Sequence, residues 1–299
     1  NKQKQTETNR NKMSSAMTPS QFDVSKVSFS VPKRLENGGM IIYLNNGEGI
    51  NPIYLSTPEL KLPFDANYFA DDGKDESTSQ TGKYSLSMSM ENMEGNEKVK
   101  MLHDKLVELD DYLKKEAKKN STAWFKKAKM SEETISELYT PIVKVSTDPE
   151  TGEPDGKYPP KIAFKIKKRD GRFSDFTVYD NKKVVFDINK ETENPVDIRN
   201  VVMKGALVKV VLKCNGIWIA NGKFGCTWVA EQMRVKIPEG GLRDFAIVSD
   251  SDEEDEDDEV VEEEKPLMIE DSDEEEVQEE EPSPPKKKKV RRVKVKSSE

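Results

Sequence analysis

The sequence predicts a mainly β protein: a closed or partly closed antiparallel barrel with a helical insert, set between disordered N- and C-terminal tails. Three observations carry this. Apolar residues alternate with period two in several short runs, each bounded by Gly, Asn, Asp or Pro. One central stretch, Asn96 to Asn120, changes to three-and-four spacing. Beyond Val248 aromatic and aliphatic residues all but disappear, so nothing there offsets the entropy of ordering a chain.

Residues 1–21 read as a disordered lead. The run NKQKQTETNRNK has no apolar residue and precedes Met13, as upstream translation would, and the Ser/Thr/Pro stretch through Ser20 is left out of the fold. The folded domain then covers 22–245. Val27, Phe29 and Val31 fall on one face of a first strand. The runs at 40–44 and 52–57 flank the turn-forming NNGEGIN and read as a hairpin. Next, Tyr84, Leu86, Met88 and Met90 share one face of a strand, with Ser85, Ser87 and Ser89 on the other.

The helical insert spans about 96–140. Val99, Leu102, Leu106, Leu109 and Leu113 form one apolar stripe, Asn96 is the N-cap, and Lys114, Lys115, Lys118 and Lys119 sit where the helix dipole favours cations. Five positions are too few for a coiled coil, so the stripe should pack on the domain's own sheet. A shorter helix over Ser131 to Tyr139 stops before Pro141. After a Pro/Gly/Asp loop from Asp148 to Pro160, Ile162, Phe164 and Ile166 alternate with Lys161, Lys165 and Lys167. A turn at RDG follows, then Phe176 and Val178, then VVFDI as a strand. Two or three strands complete the domain, punctuated by Asn215-Gly216, Asn221-Gly222 and Gly225.

Charge divides the chain. Asp250 to Glu281 carries −20 and Pro282 to Glu299 carries +7, and subtracting both from the whole-chain −9 leaves +4 for residues 1–249. A mildly basic body is tethered to a polyanion that it can itself bind, along with any external polyanion. The two cysteines, Cys214 and Cys226, and the single His103 lack zinc-ligand spacing and read as free, mostly buried thiols and a lone helix histidine. No apolar run reaches membrane-spanning length, and no signal-peptide core is visible. There is no phosphate-cradling glycine loop, no base for a nucleophilic triad and no rigid acidic pair for metals, so the chain reads as a binding protein without catalytic residues, cofactor or metal.

Strands with Lys or Arg at alternate positions beside aromatics suit a groove that neutralises a nucleic-acid backbone and stacks its bases. The first candidate stretch is Lys161, Lys165, Lys167, Lys168, Arg169 and Arg172 beside Phe173 and Phe176. The second is Lys209, Lys213 and Lys223 with Trp218 and Trp228. Each stretch alone also fits the exposed face of any half-solvated sheet, and a Trp is more often core than platform. The acidic tail, 246–282, reads as an interaction segment that competes with nucleic acid for the body, or as a solubilising tail. Ser249, Ser251 and Ser272 precede acidic residues by three positions and are phosphorylation candidates. The basic cluster at 283–299, with Lys286, Lys287, Lys288, Lys289, Arg291 and Arg292 after Pro284-Pro285, resembles a nuclear localisation signal read by an import receptor; a DNA-contacting arm is the other reading.

The segment GALVKVVLKCNGIWIANGKFGCTWVAEQMRV, followed at once by an acidic tail, resembles the final barrel strands of OB-fold single-stranded DNA-binding proteins of phage-replication type, in the branch of large double-stranded DNA viruses of eukaryotes. TGKYSLSMSM resembles an earlier barrel strand of that family. The resemblance implies an OB-fold-like barrel that coats single-stranded DNA without sequence preference in replication, recombination and repair. It also implies that the acidic tail docks DNA polymerase and other replication proteins, with the host nucleus, a viral replication compartment or the virion as location. This chain continues past its acidic tail into a basic cluster and lacks the terminal aromatic of the phage relatives, which puts docking by such an aromatic in doubt. An acidic nuclear chaperone of the nucleoplasmin sort and a virion scaffold protein are the alternatives, and a homodimer and the choice of DNA over RNA stay open.

Overall fold

The computed structural model describes residues 16–238 apart from Asn37 and Ser77. The acidic tail, the serines at 249, 251 and 272, the basic cluster and residues 1–15 lie outside the described residues.

A 3-10 turn at Val24–Lys26 leads into β1 (Val27–Phe29), β2 (Lys33–Arg34), β3 (Met40–Ile42), β4 (Leu44–Asn46), β5 (Tyr54–Ser56), β6 (Leu60–Lys61), β7 (Asn67–Ala70) and β8 (Gly82–Ser89). Helices α1 (Glu97–Lys119), α2 (Ser121–Phe125) and α3 (Glu132–Leu138) follow, then β9 (Tyr139–Thr140), β10 (Val143–Lys144), β11 (Lys161–Lys168) and β12 (Thr177–Tyr179). The chain then forms α4 (Ile198–Val201) and the long hairpin β13 (Leu207–Ala220) and β14 (Lys223–Lys236).

Five strands close a ring. β6 pairs β8, β8 pairs β11, β11 pairs β14, β14 pairs β13 and β13 returns to β6. All pairs are antiparallel except β11–β14, which is parallel. In chain order this is 1-2-3-5-4, the Greek-key arrangement of an OB-type barrel. The first barrel strand is broken: β6, β5 and β3 lie in turn along β13 at Leu207–Val208, Val211–Lys213 and Ile217–Ile219. Closure pairs each of the five ring strands on both sides, and inward side chains of all five fill the interior, including Leu60, Leu86, Phe164, Val210 and Met233.

The α1 stripe behaves as its spacing predicts. Val99, Leu102, Leu106, Leu109 and Leu113 are all buried, and Asn96 Oδ1 caps the N-terminus by accepting from Lys98 N–H and Val99 N–H. Two polar contacts tie the helix to the sheet: Tyr112 hydroxyl donates to Val27 O at 3.1 Å, and Asp110, buried, accepts from the Tyr139 hydroxyl and from Ile142 and Val143 N–H. Ser131 caps α3 by accepting from Thr134 N–H at 3.2 Å.

Four expectations need correction. Met17 belongs to the fold, donating to Tyr54 O and accepting from Ser56 N–H, because β5 offers a free edge there. Val31 is 85% exposed: the β1–β4 ladder ends at Phe29, and Pro32 has no N–H to extend it. The runs at 40–44 and 52–57 do make a turn, with Asn46 N–H donating to Asn51 O, but they meet only at the Asn45–Pro52 bridge. Their strand partner is β13, whose length outcompetes local pairing. The 184–188 segment is no strand: Asp180 and Asp187 carboxylates capture the neighbouring N–H groups, leaving Val184 and Val185 exposed.

Candidate nucleic-acid interface

On β8 and β11, strands 2 and 3 of the ring, alternation sends Tyr84, Leu86, Met88, Ile162, Phe164 and Ile166 inward, all buried. The opposite parity therefore builds the outer face, and strand register sets its rows. One row runs Lys144, Lys161, Ser89, Lys61 across β10, β11, β8 and β6. A second runs Tyr54, Lys213, Val229, Lys165, Ser85, Asn67 across β5, β13, β14, β11, β8 and β7. A third brings Lys167, Lys83 and Phe69 side by side on β11, β8 and β7. Serines at 85 and 87 and Ala163 keep the middle low, so lysines and rings stand on either side of a shallow trough.

The cations of this face are poorly neutralised. Lys83 pairs Asp71 at 3.3 Å and Lys213 pairs Glu231 at 2.9 Å. Among the described residues no carboxylate lies in ion-pair contact with Lys61, Lys144, Lys161, Lys165 or Lys167. Burial holds the Lys165 ammonium below the ordinary lysine value, helped by the charges of Lys83 and Lys144. Lys167 is lowered by burial and then by Arg169, with Asp175 opposing. Burial also pushes Lys213 down, but contacts to Glu231 and Tyr54 outweigh it and the net shift is upward. Half-buried, mutually repelling ammonium groups raise the potential of the trough and favour an incoming anion.

Rings lie beside two of these cations: Lys161 Nζ sits 5.0 Å from the Phe64 ring centre and Lys213 Nζ 5.4 Å from that of Tyr54. Off this face, Lys168 Nζ lies 5.5 Å from the Tyr68 ring centre. Phe64, Phe69 and Tyr158 are more than half exposed.

The structure brings some of the expected residues together and separates others. Lys161, Lys165, Lys167 and Lys213 share the outer face. Trp218, opposite Gly225 on the outward parity of β13, is half-buried and lies over that glycine, where a Cβ would come within 3.2 Å of its ring. Lys209 and Lys223 are exposed on the β13–β14 hairpin. Lys168 has the inward parity at the end of β11 and donates to Ser79 O. Arg169 and Arg172 flank the turn and are paired with Asp175 and Glu191 at 3.2 Å each. Phe173 and Phe176 are core residues, and Phe173 packs against Tyr84 with ring centres 5.8 Å apart. Trp228 is 1% exposed inside the barrel. Phe173, Phe176 and Trp228 therefore offer no surface for stacking; the reversal at Asp170-Gly171 and the inward parity of β14 turn them into the core.

Sequence reading missed Lys61, Lys83, Lys144, Phe64, Phe69 and Tyr158 as members of this face. The signal was present in Phe64 and Tyr158, rings placed next to Pro63 and Pro159 in loops where no alternation calls for an apolar residue. Cys214 and Cys226 are free, with Sγ atoms 3.4 Å apart. Among the described residues no three His, Cys, Asp or Glu side chains are placed to hold a metal ion, and no helix is long and apolar enough to cross a membrane.

The chain matches no protein-family model and no curated protein. Among solved structures it is similar to the single-stranded DNA-binding protein from bacteriophage Enc34 in complex with single-stranded DNA, at 13% identity and a TM-score of 0.38, over 70% of this chain and 96% of that one. It is also similar to gp2.5, a single-stranded DNA-binding protein encoded by bacteriophage T7, at 12% identity and a TM-score of 0.36, over 68% of this chain and 98% of that one.

Proposed function

We infer that this chain binds single-stranded nucleic acid, DNA in the first instance, along the outer face of β8 and β11, without sequence preference and without catalysis. One observation carries the reading: Lys165 and Lys167 are held half-buried and charged among further lysines with no carboxylate in ion-pair contact among the described residues. Such a group is costly in the free protein and is stabilised when a phosphate supplies the missing charge. In OB-type barrels this same face, on strands 2 and 3, is where oligonucleotides bind. Tyr54, Phe69 and Trp218 supply flat rings at the margins, and stacking tolerates any base.

The acidic tail fits as an internal competitor. It carries −20 on the same chain as the lysine face, so its charge competes with nucleic acid at high effective concentration, and nucleic-acid binding frees it for replication partners such as a DNA polymerase. The basic cluster supports delivery to a nucleus, and roles in replication, recombination and repair follow from strand coating.

The test is a fluorescence titration of oligo(dT) at two salt concentrations with the intact chain and with a chain lacking residues 249–281. The reading expects binding that weakens steeply with salt and tightens on tail removal. A tail-less body that ignores oligo(dT) at low salt overturns it. Loss of histone binding on the same deletion would instead favour an acidic chaperone.

A further inference from the structure

At the end of the lysine face the row Lys144, Lys161, Ser89 opens into a cleft of about 570 Å³. Phe64 and Tyr158 line it, 54% and 63% exposed, with Lys157 Nζ 5.5 Å from the Tyr158 ring centre and Lys161 Nζ 5.0 Å from that of Phe64. Prolines 63, 149 and 159 stiffen its walls. Two exposed rings in a proline-braced cleft are an expensive arrangement unless something flat covers them.

The second observation is independent of the rings. Ser89 also lines the cleft, is 4% exposed, and its Oγ has no hydrogen-bond partner. Its neighbours on the outer face, Ser85 and Ser87, are partly exposed, whereas Ser89 is buried. A buried hydroxyl left unpaired marks a position that a ligand completes. Among the described residues the cleft has one carboxylate, Asp155, which accepts from Ser146 Oγ and from Lys157 N–H at 3.0 Å. Its cations are Lys144, Lys157 and Lys161.

We propose that this cleft holds one nucleotide unstacked from the bound strand, its base against Phe64 and Tyr158, its edge hydrogen-bonded to Ser89 Oγ, and its phosphate on Lys144 and Lys161. The inference rests on the strand-binding reading above. It adds a discrete, base-reading stop to a track that is otherwise indifferent to sequence. The volume lies in the range of small-ligand sites and suits a nucleoside monophosphate. Because Ser89 Oγ both donates and accepts, it engages the hydrogen-bonding edge of the base rather than its π-face.

The experiment uses the full chain and oligo(dT) carrying a single 4-thiothymidine for photo-crosslinking, with the adduct mapped by mass spectrometry. The expected adduct is on Tyr158 or Phe64. Phe64→Ala with Tyr158→Ala should weaken oligo(dT) binding about ten-fold. Ser89→Ala should weaken it about three- to ten-fold without lowering the thermal midpoint, because the hydroxyl has no partner to lose in the free protein. A serine with only a structural role would lower the midpoint and leave binding alone.

Lys165→Gln with Lys167→Gln is the reference for the track. Unchanged affinity in the Phe64/Tyr158 variant, while the lysine variant binds more weakly, overturns the cleft proposal and leaves the strand-binding reading standing. If the parent chain and the tail-less chain both ignore the oligonucleotide, the strand-binding reading fails first and the cleft proposal with it.

Discussion

At the level of single residues, the free protein carries a cost that its ligand should relieve. Lys165 and Lys167 titrate below the ordinary lysine value of 10.5 because burial and neighbouring cations disfavour the charge. The unfolded chain then keeps these protons over a pH window just below 10.5 in which the folded chain releases them, so stability rises with pH across that window. Lys165→Gln with Lys167→Gln should flatten this rise in thermal unfolding scans. At neutral pH the same variant should melt higher, because it removes two partly desolvated, mutually repelling charges. Its oligo(dT) affinity should fall, and the salt slope should shrink by about 1.4, two phosphate contacts at about 0.7 each. The two tryptophans separate packing from recognition. Trp228→Ala should cost about 3–5 kcal/mol in urea unfolding, since the side chain is 1% exposed. Trp218→Ala should cost far less and weaken oligo(dT) binding. Lys161, Lys165 and Lys167 were legible as one face because they sit at alternate positions of a single strand. The fates of Phe173 and Trp228 were not, because inward or outward depends on a turn and a bulge that local sequence does not register.

Among the elements, the β13–β14 hairpin decides the barrel's shape. Its two-residue turn, Asn221-Gly222, has positive φ at both positions, the type I′ geometry that its sequence announces. Asn215-Gly216 looks like the same signal and does something else. Gly216, at φ +103°, sits at a bulge where β13 shifts register against β14, and a Cβ there would come within 2.4 Å of Ile42 O. Gly216→Ala should therefore destabilise by several times the roughly 1 kcal/mol expected at the open Gly222, measured by urea unfolding. Helix α1 was legible almost residue for residue, because its stripe, cap and terminal charges all agree. What its sequence did not show is Asp110, the buried carboxylate that carries the Ile142 and Val143 N–H groups. Asp110→Ala should cost about 2–4 kcal/mol by leaving those donors unpaired, without changing strand affinity once the protein is folded. The first barrel strand was the least legible element. It is built from β3, β5 and β6, and short segments that each pair β13 look locally like hairpins with each other.

For the whole molecule, charge is divided along the chain between a mildly basic body and an acidic extension. Removing residues 249–281 should tighten oligo(dT) binding at low salt, and the gain should shrink as salt rises, because both the competitor and the ligand act through screened charge. Measuring the same titration at 50 and 200 mM salt checks both parts. The sequence by itself determined the class of the domain, the α1 helix, the positions of most strands, and the division into a basic body and an acidic extension. Those properties depend on periodicity and composition, which are local and additive. Only the tertiary structure decided which lysines stand together and which rings reach solvent. Cross-strand register places Lys144 beside Lys161, Lys213 in one row with Lys165, and Lys83 beside Lys167 from distant parts of the chain, and ring closure selects the face they share. A cationic trough is a sum over such neighbours, and no stretch of the chain read alone contains them.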